Sequence, residues 1–166
     1  MDPALRELVD RQQIEDLVHD YCTHVDRYEP EKVAALFTED CVTDYGPFGG
    51  VREGRDVLER GFGFTLAGFA ATSHHVSNLR LRFEGPDVAL GYAYLYAWHR
   101  YPDDRPDYEI WGRYDDRFVR QPDGWRIAER RFSSAGMVGA DFDFPGIGRR
   151  TPDPELVAKV LAREGR

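Results

Sequence analysis

Several absences narrow the chemistry of this chain before any motif is considered. Basic side chains are in deficit, 22 against 30 acidic, for a formal net charge of -8. That balance opposes attraction to the polyanionic surfaces of nucleic acids and anionic lipids. Cysteine is nearly absent: Cys22 and Cys41 stand in what read as a helix stripe and a strand start. Two buried free thiols fit that setting better than a disulfide framework, so a reducing, cytoplasmic environment is expected. The most apolar stretch, FGFTLAGFAA, is short and broken by glycine, and Asp2, Arg6 and Glu7 near the start have no apolar block behind them. Neither a membrane span nor an export signal is expected. No GxxxxGK[ST], GxGxxG or GxSxG string occurs, which leaves a phosphate cradle or a serine nucleophile without support. The five histidines, His19, His24, His74, His75 and His99, make no HExxH pattern. On a helix, His19 and His24 would point about 140° apart. No metal and no cofactor is expected.

What is present suits one domain with a real core, because 166 residues are too few for two. Apolar residues from Leu5 through Leu8, Val9, Ile14, Leu17, Val18, Tyr21, Cys22 and Val25 recur at spacings of three and four. This predicts a helix that buries one face and ends near Asp26. Pro30 opens a second, shorter helix through Phe37, where its missing N–H would be unpaired in any case. A short strand over 41–45, a GPFGG turn and a third helix over 55–64 follow.

Beyond Ser73 the period changes to two, predicting four long strands: one through Leu79, Leu81 and Phe83, Val88 to Trp98, Tyr108 to Tyr114, and Trp125 to Phe132. In GYAYLYAW, Tyr92, Tyr94, Tyr96 and Trp98 share one face and Gly91, Ala93, Leu95 and Ala97 the other. Both faces are poor in polar groups, so one is expected against the helices and one against a partner subunit. Helices followed by a meander of long strands indicate an α+β fold, a cone-shaped barrel in which a curved, mostly antiparallel sheet wraps the N-terminal helices. Its open end suits a pocket. The division expected is a barrel domain over 1–136 and a tail over 137–166, with a short helix after the cap at Asp153.

The candidate chemistry lies where YCTHVD ends the first helix and ATSHHVSN leads into a strand. Asp26 falls at a helix C-terminus, where the dipole disfavours negative charge by ~0.3–1 kcal/mol, so it needs a partner. An Asp26 carboxylate accepting the N–H of His74 would fix the tautomer of that ring and stabilise the imidazolium formed when its other nitrogen takes a proton. Such a base needs help with developing negative charge. Tyr21 and Arg130 are the candidates, Arg130 because alternation in WRIAERRF groups it with Arg126, Ala128 and Phe132, where an unpaired guanidinium is costly. Its expected anionic partner is Asp26 or a substrate oxygen; the plainer alternative is an ion pair with a Glu or Asp across the sheet. His75, on the opposite side of the strand, reads as structural. Tyr45, Phe132 and Trp98 are the expected substrate-binding wall, although Trp98, Trp111 and the tyrosine row suit core and a subunit interface better than a ligand-stacking platform.

These stretches, together with GWRIAERR, resemble the SnoaL-like branch of the nuclear transport factor 2 superfamily over about residues 5–136. Scytalone dehydratase, bile-acid 7α-dehydratase and hexachlorocyclohexane dehydrochlorinase belong to that branch. The sharpest shared feature is an Asp ending the first helix and a His four residues before an Asn, here Asp26 and His74 before Asn78. The resemblance implies that His74, rather than His75, is the base. Tyr21 corresponds to a residue of the bile-acid enzyme, and Arg130 to a final-strand arginine in that enzyme and the dehydrochlorinase. The second histidine of scytalone dehydratase has no secure counterpart; His99 is nearest and reads as a strand end. Noncatalytic β subunits of ring-hydroxylating dioxygenases share this fold, so fold alone does not assign activity.

The expectation is therefore a cofactor-independent lyase of dehydratase type acting on a small apolar cyclic hydroxylated substrate. A polyketide or terpenoid cyclase or isomerase with the same residues is one alternative, and a noncatalytic binding or assembly subunit the other. A homodimer or homotrimer is expected, with no nucleic-acid or membrane partner.

Overall fold

The computed structural model describes residues 2–148 and 151–163. The helical period at the front folds as α1 (Pro3–Asp26), opened by the Asp2 carboxylate, which accepts the N–H groups of Ala4 at 2.8 Å and Leu5 at 3.3 Å. Burial begins only at Asp10 and continues through Ile14, Leu17, Val18, Tyr21, Cys22 and Val25. The predicted stripe thus starts two turns late: Leu5, Leu8 and Val9 are exposed. The first buried residue is a carboxylate, held by Trp125 Nε1 at 3.2 Å and by an ion pair to Arg120. Each apolar side chain buried along this face stabilises the fold by ~1.5–3 kcal/mol.

The end of α1 sets the position of Asp26. Glu29 N–H donates to His24 O at 3.0 Å and Tyr28 N–H to Val25 O at 3.1 Å, the paired bonds of a Schellman cap. Tyr28 occupies the left-handed position with φ 54°, normally glycine's place. Its hydroxyl reaches Gly63 O at 3.1 Å, a contact glycine could not make.

Next come α2 (Pro30–Ala35), β1 (Phe37–Asp44), the single helical turn α3 (Gly46–Gly49), β2 (Val51–Glu53) and α4 (Arg55–Leu66). Phe37 therefore opens a strand instead of closing a helix, GPFGG is a helical turn, and β2 is an added short strand. The back half is β3 (Ala71–Phe83), β4 (Val88–Arg100), β5 (Tyr108–Gln121) and β6 (Gly124–Val138), followed by α5 (Pro154–Arg163). The four predicted long strands are present, each longer than its sequence pattern. The six strands run β2-β1-β6-β5-β4-β3, with β1 and β6 parallel and every other neighbour antiparallel. This unclosed, curved sheet wraps α1, giving the cone-like α+β fold expected. No described helix is long and apolar enough to cross a membrane.

Bulges curve the sheet and correct the predicted alternation. In β3 the register moves between Ser77 and Arg80, and Asn78 there has φ 53°. His74 and Val76 before the bulge and Leu79, Leu81 and Phe83 after it can thereby all face inward. In β6, Arg117 pairs with Glu129 but Phe118 with Ile127, leaving Ala128 as the extra residue. Trp125 and Ile127 are consequently buried along with Arg130 and Phe132, whereas strict alternation had placed the two sets on opposite faces.

Candidate active site

Asp26, on the last turn of α1, faces the start of β3. Alternation puts Thr72 and His74 on the same side of that strand, and both engage the carboxylate. His74 Nδ1 lies 2.7 Å from Asp26 Oδ1, Thr72 Oγ1 donates to Oδ1 at 2.8 Å, and the backbone N–H of His74 donates to Oδ2 at 2.9 Å. Burial alone would raise the Asp26 pKa, but the hydrogen bonds from His74 and Thr72 outweigh it and hold the carboxyl below its ordinary value. An ionised Asp26 requires His74 to donate from Nδ1, which leaves the lone pair on Nε2. His75 lies beyond reach of this carboxylate: its Nε2 is 3.0 Å from Ser73 Oγ, and its ring lies near Tyr96.

His74 lines a cavity of about 90 Å³ that lies between α1, α4, the sheet and the tail and is partly open to solvent. Most of its wall is apolar or aromatic, including Val25, Phe62, Leu66, Phe69, Leu95 and Ile110. Tyr21 and Tyr45 are both in the wall, their hydroxyls 3.2 Å apart. Burial keeps both phenols protonated well above the ordinary range, against a smaller opposing pull from Arg130. Phe132 also lines the cavity, and its ring needs Gly112 opposite: a Cβ there would come within 2.3 Å of Phe132 Cε2.

Two sequence-predicted residues lie elsewhere. Trp98 is not among the cavity-lining residues. On β4 it alternates with Ala97 and His99, which do line the cavity, so its ring is on the other face, 4.8 Å from the Arg100 guanidinium. Arg130 is not in the cavity wall either. It makes a bidentate pair with Asp116, Nε to Oδ1 at 2.8 Å and Nη2 to Oδ2 at 2.7 Å, with the two side chains 0% and 1% exposed. Burial opposes its charge, but Asp116 more than compensates, so Arg130 holds its proton more firmly than an ordinary arginine. The partner is neither Asp26 nor a substrate oxygen; it is the residue beside Arg130 in the β5–β6 register, the cross-sheet ion pair that was the plainer alternative. Its guanidinium lies 4.3 Å from the Tyr21 ring and 4.1 Å from the Tyr114 ring, so those tyrosines carry its influence to the cavity.

Further wall residues lay outside the expected site, among them His99, noted from the sequence only as the nearest candidate for a second histidine. His99 stacks on Tyr108 with centroids 4.1 Å apart and meets the His74 ring edge-on at 5.2 Å. Burial, with His74 beside it, pushes its pKa down to about 3, so it is neutral. Extending the inward set Ala93, Leu95, Ala97 by two residues reaches His99, so the signal was present. Arg52 on β2 and Phe144 in the tail also line the cavity. No local pattern marks either. The tail's place is clear in its first part: Ser134 N–H donates to Pro145 O at 2.8 Å and Ile147 N–H to Ser134 O at 3.2 Å, which sets the Phe144 ring against Phe132. Among the described residues no group of three or more His, Cys, Asp or Glu could hold a metal ion.

Comparisons with known proteins identify the family and the fold. Residues 6–131 match the model of the SnoaL-like domain. An uncharacterized protein of Mycobacterium tuberculosis is 30% identical over 128 residues, covering 76% of this chain and 86% of that one. A crystal structure from Novosphingobium aromaticivorans, provisionally named a scytalone dehydratase, has a TM-score of 0.84 and 32% identity, covering 89% of this chain and 99% of that one. A hexachlorocyclohexane dehydrochlorinase of Novosphingobium barchaimii has a TM-score of 0.72 at 20% identity, covering 86% and 99%, a likeness of fold.

Proposed function

The chain belongs to the SnoaL-like domain family, and from that premise we propose that it is a cofactor-independent lyase of dehydratase type. The observation that carries this reading is the 2.7 Å contact of Asp26 with His74, whose ring lines a largely apolar cavity. The proposed substrate is a small cyclic hydroxyketone. His74 Nε2 takes the proton from the carbon next to the carbonyl, and the C–H electron pair moves toward the carbonyl oxygen as an enolate. Asp26 holds the ring and stabilises the imidazolium. The Tyr21–Tyr45 hydroxyl pair donates to the enolate oxygen, with Arg130 polarising Tyr21 from behind, as a positioning residue. The electrons then return to form the C=C bond as the C–O bond breaks. The leaving hydroxide takes the proton from the imidazolium and departs as water, which restores His74.

The SnoaL-like fold and its dehydratase and dehydrochlorinase neighbours support the reaction class. Elimination also suits a cavity that supplies orientation and one base. The test is a screen of cyclic hydroxyketones followed by mass spectrometry, with His74→Ala as the control. A product lighter by one water, formed ~10²–10⁴-fold more slowly by His74→Ala with unchanged circular dichroism, is the expected result. Full turnover by His74→Ala would remove the base. A product of unchanged mass would move the assignment to isomerase or cyclase.

A further inference from the structure

The cavity has one charged group that the proposed mechanism leaves unused. Arg52 extends from β2 along α4 and lines the cavity with His74. Its only hydrogen bond among the described residues is from Nη2 to Thr65 Oγ1, at 3.4 Å, and no described carboxylate is within ion-pair distance of it. Asp26, the carboxylate beside His74, is occupied by His74 and Thr72, and Asp116 by Arg130. The protein also makes room for this guanidinium. A Cβ on Gly61 would lie 2.3 Å from Arg52 Cζ and 2.5 Å from Nε and Nη1. Gly61 is inside α4, where glycine costs a helix ~1 kcal/mol relative to alanine. The guanidinium, half-buried, lies 5.9 Å from the Phe62 ring centroid.

A partly dehydrated guanidinium with a planar set of free donors and no protein anion is matched by a carboxylate, which takes two parallel N–H···O bonds. We infer that Arg52 is a substrate-anchoring residue and that the cyclic substrate carries a carboxylate. The carboxylate is bound at Arg52 while the ring places its acidic C–H at His74. The second half of that statement rests on the lyase reading; the anchor does not.

The first test compares benzoate with its neutral isostere benzamide by isothermal titration calorimetry at pH 8, where histidines of ordinary pKa are uncharged. Wild type is expected to bind benzoate at least roughly tenfold more tightly, a preference lost in Arg52→Gln and partly kept in Arg52→Lys. Equal binding of the two probes to wild type, or a preference that survives Arg52→Gln in a protein with unchanged circular dichroism, overturns the anchor. If neither probe binds wild type, both the anchor and the ring-binding cavity are overturned. Turnover by His74→Ala with the benzoate preference intact would instead overturn the lyase reading alone.

Discussion

Asp26 is ionised at the end of a helix that opposes its charge, and three donors from Thr72 and His74 provide the compensation. For His99, 5.2 Å from His74 between ring centroids, burial outweighs the smaller help from Asp26 and the Tyr108 backbone, and it gives up its charge. That difference has a measurable consequence for stability. The folded pKa of His99, about 3, lies below the unfolded value, so between roughly pH 6.5 and pH 3 the unfolded chain binds a proton that the native protein does not. Stability is therefore lost as pH falls through this window, by ~1.4 kcal/mol per unit from this one group. His99→Phe is expected to flatten the dependence; urea denaturation at pH 5 and pH 7 measures it, and an unchanged difference between the two would show that His99 does not titrate this way. At this scale the pairing of His74 with Asp26 was legible because a carboxylate ending an apolar stripe requires an explanation. The partner of Arg130 was not. It depends on which residue of β5 comes opposite, and the extra residue at Ala128 changes that register without a local signature.

The bulges do for whole strands what rotamers do for single side chains. Asn78, at φ 53°, lets β3 keep an inward face on both sides of the irregularity. The side-chain amide makes asparagine one of the few residues at ease in this conformation. Asn78→Val is expected to destabilise the fold by ~1–2 kcal/mol, and Asn78→Gly to be tolerated. Thermal denaturation of the two variants decides this, and a valine variant melting with wild type would dismiss the strain. The sequence showed the elements but not their seams. Period-two runs identified the long strands, whereas β2, only three residues long, and the start of β1 at Phe37 lie below the length at which a period can be read. Leu5, Leu8 and Val9 matched the helical period, yet the sheet does not extend far enough to cover them.

For the molecule as a whole, helices followed by a meander were enough to indicate a cone-like α+β fold, because that order leaves few ways to bury both sets of apolar faces. The outer face of the sheet still presents Tyr92, Tyr94 and Trp111, 37%, 39% and 40% exposed. Self-association through these rings is expected: light scattering should return the mass of a dimer or trimer, and Trp111→Glu should lower it. A monomeric wild type would end that expectation. The tail's position could not be read from FDFPGIG, since its docking is decided by backbone bonds to Ser134 that no local pattern marks. Those bonds have a consequence for how such a protein can change. Phe144 forms part of the cavity wall, where a Cβ on Gly46 would come within 2.8 Å of its ring, while the proposed base His74 and its partner Asp26 lie on β3 and α1. Part of the cavity's shape is thus written apart from the Asp26–His74 pair, and a new tail can refit the cavity to another molecule while that pair stays as it is.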